Sequence, residues 1–96
     1  MPHYVSLVNW TDQGIRTVKD SLKRSEAFRK GVEAAGGKVV ALLYTMGQHD
    51  IVGITELPSD EAGNELALRL GMQGNVRTVT LKGWTESEMA KLIQKL

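Results

Sequence analysis

The sequence predicts an α+β domain built on a four-stranded antiparallel sheet. Four stretches are rich in β-branched and aromatic residues, which favour strands, and two longer stretches repeat apolar residues at helical spacing. These stretches follow one another in the order β-α-β-β-α-β, with a short helical pattern at the end of the chain. A length of 96 residues suffices for one domain, so we expect residues 1–96 to form a single unit.

The first strand and the first helix are predicted in the N-terminal third. Residues 4–10, YVSLVNW, alternate and are rich in residue types that favour strands. Residues 11–37 follow as a helix that Thr11 or Asp12 caps and a Gly-Gly pair ends. Because Gly14 weakens the first turn, the regular helix is expected to begin nearer Val18. The stripe expected to face the core consists of Ile15, Val18, Leu22, Phe28, Val32 and Ala35, with Ser25 on the same side.

The middle of the chain predicts a β-hairpin. Residues 38–46, KVVALLYTM, and residues 51–57, IVGITEL, are two strand patterns separated only by the sequence GQHD. The first of these strands is apolar almost throughout, which suggests that both of its faces are buried.

The C-terminal half predicts a second helix, a fourth strand and a short last helix. Pro58 ends the hairpin, and Ser59 begins a helix whose first turn is acidic, as the helix dipole favours. The sequence GMQGN at 71–75 is a loop, and VRTVTLKGW at 76–84 is a strand. The last helix begins with the capping box TESE, residues 85–88, and its apolar stripe is Met89, Leu92, Ile93 and Leu96.

This element order is the split βαβ, or ferredoxin-like, pattern, in which both main helices cover one face of the sheet. The other face remains open, and an open face can stay solvated only if it is polar. Here both faces of the first two strands are substantially apolar. One face of the first strand carries Tyr4, Ser6, Val8 and Trp10, and the other carries Val5, Leu7 and Asn9. We therefore expect a second copy to stack on the sheet and form a homodimer or a multiple of one.

The chain resembles the GYD domain family of the dimeric α/β-barrel superfamily. The resemblance rests on YVSLVNWTDQGI near the start, GGKVVALLYTMGQHD in the middle and GNVRTVTL near the end. It implies a ferredoxin-like fold and a dimeric α/β barrel formed sheet to sheet, and it carries no established reaction. The family's Gly-x-Tyr-Asp motif corresponds here to residues 47–50, with His49 at the position that usually holds Tyr.

The sequence GQHD allows two interpretations. In the first it is a turn, where Gly47 takes a positive φ and Asp50 accepts hydrogen bonds from nearby backbone amides. In the second, His49 is a catalytic proton carrier whose ring a carboxylate orients. Adjacent residues of an extended strand point to opposite faces, so His49 and Asp50 can meet only if the turn bends them together.

A ligand cavity is a further possibility, because similar barrels bind small organic molecules between sheet and helices. The candidate ligand-binding residues are Tyr4, Ser6, Trp10, Tyr44, Asp50, Arg77, Thr78 and Thr80. For the aromatic residues of this set, a place in the core is the favoured explanation. Thr78 and Thr80 share one face of their strand, which could instead look into the dimer. Arg77 needs an anionic partner if its face is buried, or is solvated at a frayed strand end.

Composition argues against several kinds of site. The chain has no cysteine, which removes disulfides and thiolate sites and suits the cytoplasm, the expected location. Its two histidines have no metal-ligand spacing, so neither a metal nor another cofactor is expected. The net charge of +1 is spread over interspersed acids and bases, which argues against nucleic acid. Neither a signal peptide nor an apolar run of about 20 residues is found, so no membrane contact is expected.

Three functions remain open at this point. The first is a small-molecule-binding or ligand-sensing oligomeric module. The second is a cofactor-independent enzyme, oxygenase- or isomerase-like, that acts on a small hydrophobic substrate with His49 as acid or base. The third is a purely structural oligomerisation protein. A closed, polar-lined pocket of about 300 Å³ or more would favour the first two.

Overall fold

The computed structural model describes all residues 1–96. The strands are β1 His3–Trp10, β2 Lys38–Tyr44, β3 Ile51–Glu56 and β4 Val76–Gly83. The helices are α1 Asp12–Arg16, α2 Ser21–Ala34, α3 Asp60–Met72 and α4 Glu86–Ile93, with a single 3₁₀ turn at Val18–Asp20.

The four strands form one antiparallel sheet in the order β2-β3-β1-β4. With α2 and α3 packed on one face, this is the predicted α+β, ferredoxin-like architecture, which is confirmed. The register places Leu7 between Val52 of β3 and Val79 of β4. A β-bulge interrupts the pairing of β2 with β3 between Val39 and Ala41.

Strand alternation and this register assign each residue to one face of the sheet. The helix face carries Tyr4, Ser6, Val8 and Trp10 of β1 together with their neighbours on the other strands. The opposite face, here called the open sheet face, is formed by Val5, Leu7, Ala41, Leu43, Val52, Ile54, Val79 and Leu81. No helix packs on it, so the sequence-based expectation of one uncovered apolar face is met.

The core is small. Tyr4, Val32 and Leu57 form its buried centre, and Phe28 and Leu66 pack against them. Helix α3 passes close to the Tyr4 ring at Gly63, where a Cβ would lie in ordinary van der Waals contact with the ring, 3.4 Å from its nearest atom. Only 10 of the 96 residues are buried, so the chain by itself covers little of its apolar surface.

The first predicted helix is divided in two. Thr11 caps α1 by accepting a hydrogen bond from the Gly14 amide, and Thr17 then leaves the helical region with φ −109° and ψ 29°. The inward residues of α2 therefore begin with Ser21, and the predicted core stripe is wrong at its start. The side chains of Ile15, Val18 and Leu22 are exposed by 48%, 39% and 74%.

The remaining boundaries shift only slightly. Helix α3 continues to Met72, into the predicted loop, and β2 ends at Tyr44. The capping box at α4 is confirmed, since Thr85 accepts from the Glu88 amide and Glu88 accepts from the Thr85 amide. These hydrogen bonds lower the pKa of the Glu88 carboxyl group. No helix is both long and apolar enough to cross a membrane.

Candidate functional site

The GQHD segment forms a turn that is tied to β1. One carboxylate oxygen of Asp50 accepts a hydrogen bond from the Trp10 amide at 3.0 Å. The Thr45 amide donates to the Asp50 carbonyl at 2.8 Å, and the Thr45 hydroxyl donates to the His49 carbonyl at 2.6 Å. Gly47 has a φ of +106°, as the turn interpretation requires. Asp50 therefore holds the connection between β2 and β3 against the end of β1.

His49 is oriented by an amide and not by a carboxylate. Its Nδ1 atom lies 3.1 Å from Oδ1 of Asn9, and Asn9 donates through Nδ2 to the Gln48 carbonyl at 2.8 Å. His49 takes part in none of the ion pairs of the chain, so the turn does not bring it together with Asp50 as a pair. It also lies outside the walls of the three main clefts.

A pair of substitutions separates the backbone from the side chains of this turn. Nothing lies within 4 Å of a Cβ at Gly47, so a side chain there acts through the positive φ alone. We expect Gly47→Val to cost about 1 kcal/mol or more in the free energy of unfolding. His49→Tyr replaces one ring with another and should cost at most about 1 kcal/mol, the typical worth of one hydrogen bond.

Urea unfolding monitored by circular dichroism measures both effects. If His49→Tyr destabilises the protein more than Gly47→Val, the histidine and not the glycine determines the turn.

The cleft between α2 and the sheet, here called the Trp10 cleft, brings together several predicted ligand residues. It has a volume of about 70 Å³ and opens to solvent. Its walls include Ser6, Trp10 and Tyr44 from the predicted set and Phe28 and Arg24 from α2. The rings of Trp10 and Tyr44 stack with their centroids 6.3 Å apart. The cleft is mainly apolar and aromatic with a few polar groups, as ligand sites usually are, but it is smaller than most.

The polar groups of the Trp10 cleft are joined by hydrogen bonds. The hydroxyl groups of Tyr44 and Ser25 share one, and the Tyr44 hydroxyl also donates to the Ser21 carbonyl at 3.1 Å. Arg24 donates to the Ser21 hydroxyl at 3.1 Å and to the Gly14 carbonyl at 3.2 Å. Arg24 forms no ion pair with a carboxylate. Arg24 was not among the predicted site residues, although its i, i+3 spacing from Ser21 indicated a shared helix side.

A second polar cluster lies in an open groove between α3 and β4. The Tyr4 hydroxyl donates to Asp60 at 2.6 Å, and Lys82 pairs with the same carboxylate oxygen at 2.9 Å. Burial of Tyr4 and its hydrogen bond to Asp60 raise the pKa of the tyrosine to about 12. The hydrogen bonds from Tyr4 and Lys82 lower the pKa of Asp60. At neutral pH the tyrosine is therefore a protonated donor and Asp60 a charged acceptor. The groove has a volume of about 190 Å³, and Thr80 lies in its wall.

The other predicted ligand residues are spread over both faces of the sheet. Thr78 and Thr80 border a void of about 20 Å³ under α3, so they face the helices and not a second copy. Arg77 is exposed, lies on the open side of β4 opposite Asn9 and forms no ion pair. Neither Arg77 nor Asp50 lies in the wall of the three main clefts.

The open sheet face is apolar, and no helix of the chain covers it. The side chains of Leu43, Val79 and Leu81 are exposed by 61%, 55% and 49%. The chain exposes 6696 Å² in total, whereas a monomeric protein of 10.6 kDa exposes about 5,500 Å². The excess exceeds the roughly 800 Å² that each partner buries in a standard protein interface.

Polar residues border this face at both ends. At one end Glu56 pairs with His3 at 3.3 Å and with Lys38 at 3.8 Å, and at the other end lie Asn9 and Arg77. An apolar centre with a polar rim is the usual anatomy of a protein interface.

The sequence profile of the GYD domain matches residues 4–93 of this chain. The chain belongs to the GYD domain family. The match begins in β1 and ends with the last residue of α4, so every strand and helix of the fold contributes to this GYD domain.

Known proteins of Thermus thermophilus are similar to this GYD domain protein. One is named a glutamine synthetase and cystathionine beta-lyase binding protein, and is 29% identical over 83 residues, which are 85% of this chain and 87% of the relative. The crystal structure of TTHA0845, from the same organism, superposes with a TM-score of 0.55 at 18% identity, over 88% of this chain and 95% of that one. The second likeness concerns the fold alone.

Proposed function

We propose that this GYD domain protein is an oligomeric binding module that associates with itself through the open sheet face and, once assembled, binds other proteins. The observation that carries the proposal is the open sheet face, an apolar face that no helix covers, in a chain that as a whole exposes about 1,200 Å² more surface than a monomer of this mass normally has. If self-association covered this excess, two copies would together bury more than a standard interface.

The relative from Thermus thermophilus supports the second half of the proposal, because it is named for the two enzymes that it binds. The first partners to test are therefore glutamine synthetase and cystathionine β-lyase from the organism that encodes this chain. Each purified enzyme would be mixed with the protein and analysed by sedimentation velocity, with an unrelated enzyme of similar mass as control. We expect a faster-sedimenting complex with at least one of them. If both enzymes sediment as they do alone at micromolar concentrations, these are not its partners.

The Trp10 cleft supports a second candidate function, which is small-molecule binding or ligand sensing. Its stacked aromatic pair and the uncompensated charge of Arg24 suit a small apolar molecule with an anionic end. A Trp84→Phe variant leaves Trp10 as the single tryptophan, so its fluorescence reports on the cleft. Native mass spectrometry of freshly purified protein should show a bound small molecule whose removal changes this fluorescence. A protein that is always purified without any ligand, and that binds none of a panel of small carboxylates, would contradict this candidate.

The enzyme hypothesis would place the chemistry at His49. Because His49 lies beside Asn9 on the open side of the sheet, a substrate would have to reach it from the dimer side and not through the Trp10 cleft. Any activity should then be lost in His49→Tyr, because Tyr has an unperturbed pKa of about 10 and is a poor proton carrier near neutral pH.

A further inference from the structure

Helix α4 is the one α-helix of the chain that has no buried residue. Its apolar stripe is solvent-exposed along its length, with Met89 at 48%, Leu92 at 42% and Ile93 at 56%. Leu96, which continues the stripe past the end of the helix, is fully exposed. The opposite side carries polar residues such as Ser87 and Lys91. The helix is thus amphipathic, and its apolar side remains about half exposed in the single chain.

An eight-residue helix in this situation is not expected to be stable in water. Isolated helices shorter than about 12–15 residues are marginal, because few hydrogen bonds offset the cost of nucleation. The capping box at Thr85 provides hydrogen-bond partners for backbone amides of the first turn. The other hydrogen bonds of α4 are all within the helix and its C-terminal cap, so none of them ties the helix to the rest of the chain. The helix therefore needs a packing partner for its apolar side.

The chain itself covers that side only in part. The molecule measures 49 × 30 × 18 Å and has a radius of gyration of 14.3 Å, whereas a compact chain of this length has about 12.5 Å. The open sheet face is likewise uncovered. Two exposed apolar surfaces of one chain, neither of which covers the other, can both be covered by a second copy.

We infer that α4 is an exchanged arm, which packs its stripe of Met89, Leu92 and Ile93 against the sheet of a second copy of this chain. The inference rests on the proposed self-association and adds to it the element that each copy contributes. In a two-fold assembly the arm of each copy packs on the other copy, so the apolar stripe of α4 is buried in both copies. The arm follows β4, an edge strand, and so extends from the rim of the sheet, where it can reach over a stacked partner.

Disulfide trapping tests the exchange directly, because the chain has no native cysteine. A tagged Leu92→Cys protein would be mixed, under conditions that allow subunit exchange, with an untagged protein carrying Leu43→Cys or Leu81→Cys at either edge of the open sheet face. Mild oxidation should give a covalent tagged–untagged pair in at least one mixture. Lys91→Cys, on the opposite side of α4, is the matched control and should give markedly less. The inference is overturned if neither mixture gives a disulfide-linked tagged–untagged pair. It is also overturned if Lys91→Cys gives as much of this pair as Leu92→Cys.

A second measurement separates this inference from the proposed self-association. Leu92→Asp should raise the dissociation constant of the oligomer at least ~10-fold, as expected when a buried interface side chain is lost. Lys91→Asp should change it little. If Leu92→Asp leaves the oligomer intact while a charge at Leu7 dissociates it, the arm is not exchanged but the sheet interface stands. If the unmodified protein is already a monomer, both fail together.

Discussion

Leu7→Asp is expected to dissociate the oligomer while leaving each chain folded. Leu7 lies at the centre of the open sheet face, between Val52 and Val79, and points away from both covering helices. In a stacked dimer its carboxylate would be buried without a partner, at a cost of about 3 kcal/mol or more. That corresponds to a rise in the dissociation constant of ~100-fold or more. In the separated chain Leu7 is half-buried on a face that no helix covers, so we expect the carboxylate to reach solvent and the far-ultraviolet circular dichroism to be unchanged.

Sedimentation velocity over a dilution series measures this effect. The matched control is Leu68→Asp, which places the same charge at a side chain 60% exposed on α3, on the other side of the sheet. Val79→Asp provides a second test if Leu7→Asp should fail to fold. An oligomer that tolerates a charge at both Leu7 and Val79 would place the interface elsewhere.

Gly14→Ala is expected to be among the most destabilising single methyl additions in the chain. A Cβ at Gly14 would overlap the Asn75 carbonyl group, and backbone, unlike a side-chain tip, cannot move aside cheaply. The contact matters because α1 docks on the loop after α3: the Thr11 amide donates to the Asn75 carbonyl at 3.0 Å, and Gln13 donates to the Gln73 carbonyl at 3.1 Å. We expect a loss of about 2–3 kcal/mol, in the range of other overpacked sites.

Gly71→Ala is the matched control, because it adds the same methyl group to a helical glycine with nothing within 4 Å of the new atom. Alanine is the better helix former, so this variant should gain about 0.5–1 kcal/mol. Urea unfolding of the two variants should therefore show shifts of opposite sign. Equal shifts would mean that the α1–loop contact contributes nothing to stability.

The local features of the fold were predictable because they depend on neighbouring residues. Thr85 and Glu88 form their capping box within four residues, and Pro58 and Ser59 mark the start of α3 in the same way. The break between α1 and α2 was predicted only in part. Gly14 indicated a weak first turn, but the regular helix was expected to begin nearer Val18 than Ser21. It is held by Arg24, which donates to the carbonyl groups of Gly14 and Thr17, and by Thr11, which bonds a carbonyl 63 positions away. The contact of Thr11 lies outside any window of neighbouring residues, whereas those of Arg24 span only 7 and 10 positions.

In the candidate site, too, the features that depend on neighbouring residues were predictable and those that depend on distant parts of the chain were not. Alternation in β1 correctly grouped Ser6 with Trp10, and both line the Trp10 cleft. Alternation alone could not tell which face the helices cover, so Thr78 and Thr80 could be assigned to either side until the register and helix packing were known. Arg24 was missed because a basic residue on an amphipathic helix is most often solvated.

Sedimentation velocity of the unmodified protein at micromolar concentration tests the central claim, self-association through the open sheet face, most directly. We expect a mass of two chains, or a multiple of two, because the exposed apolar sheet must be covered. A single species of 10.6 kDa, the mass of one chain, at every concentration would contradict it.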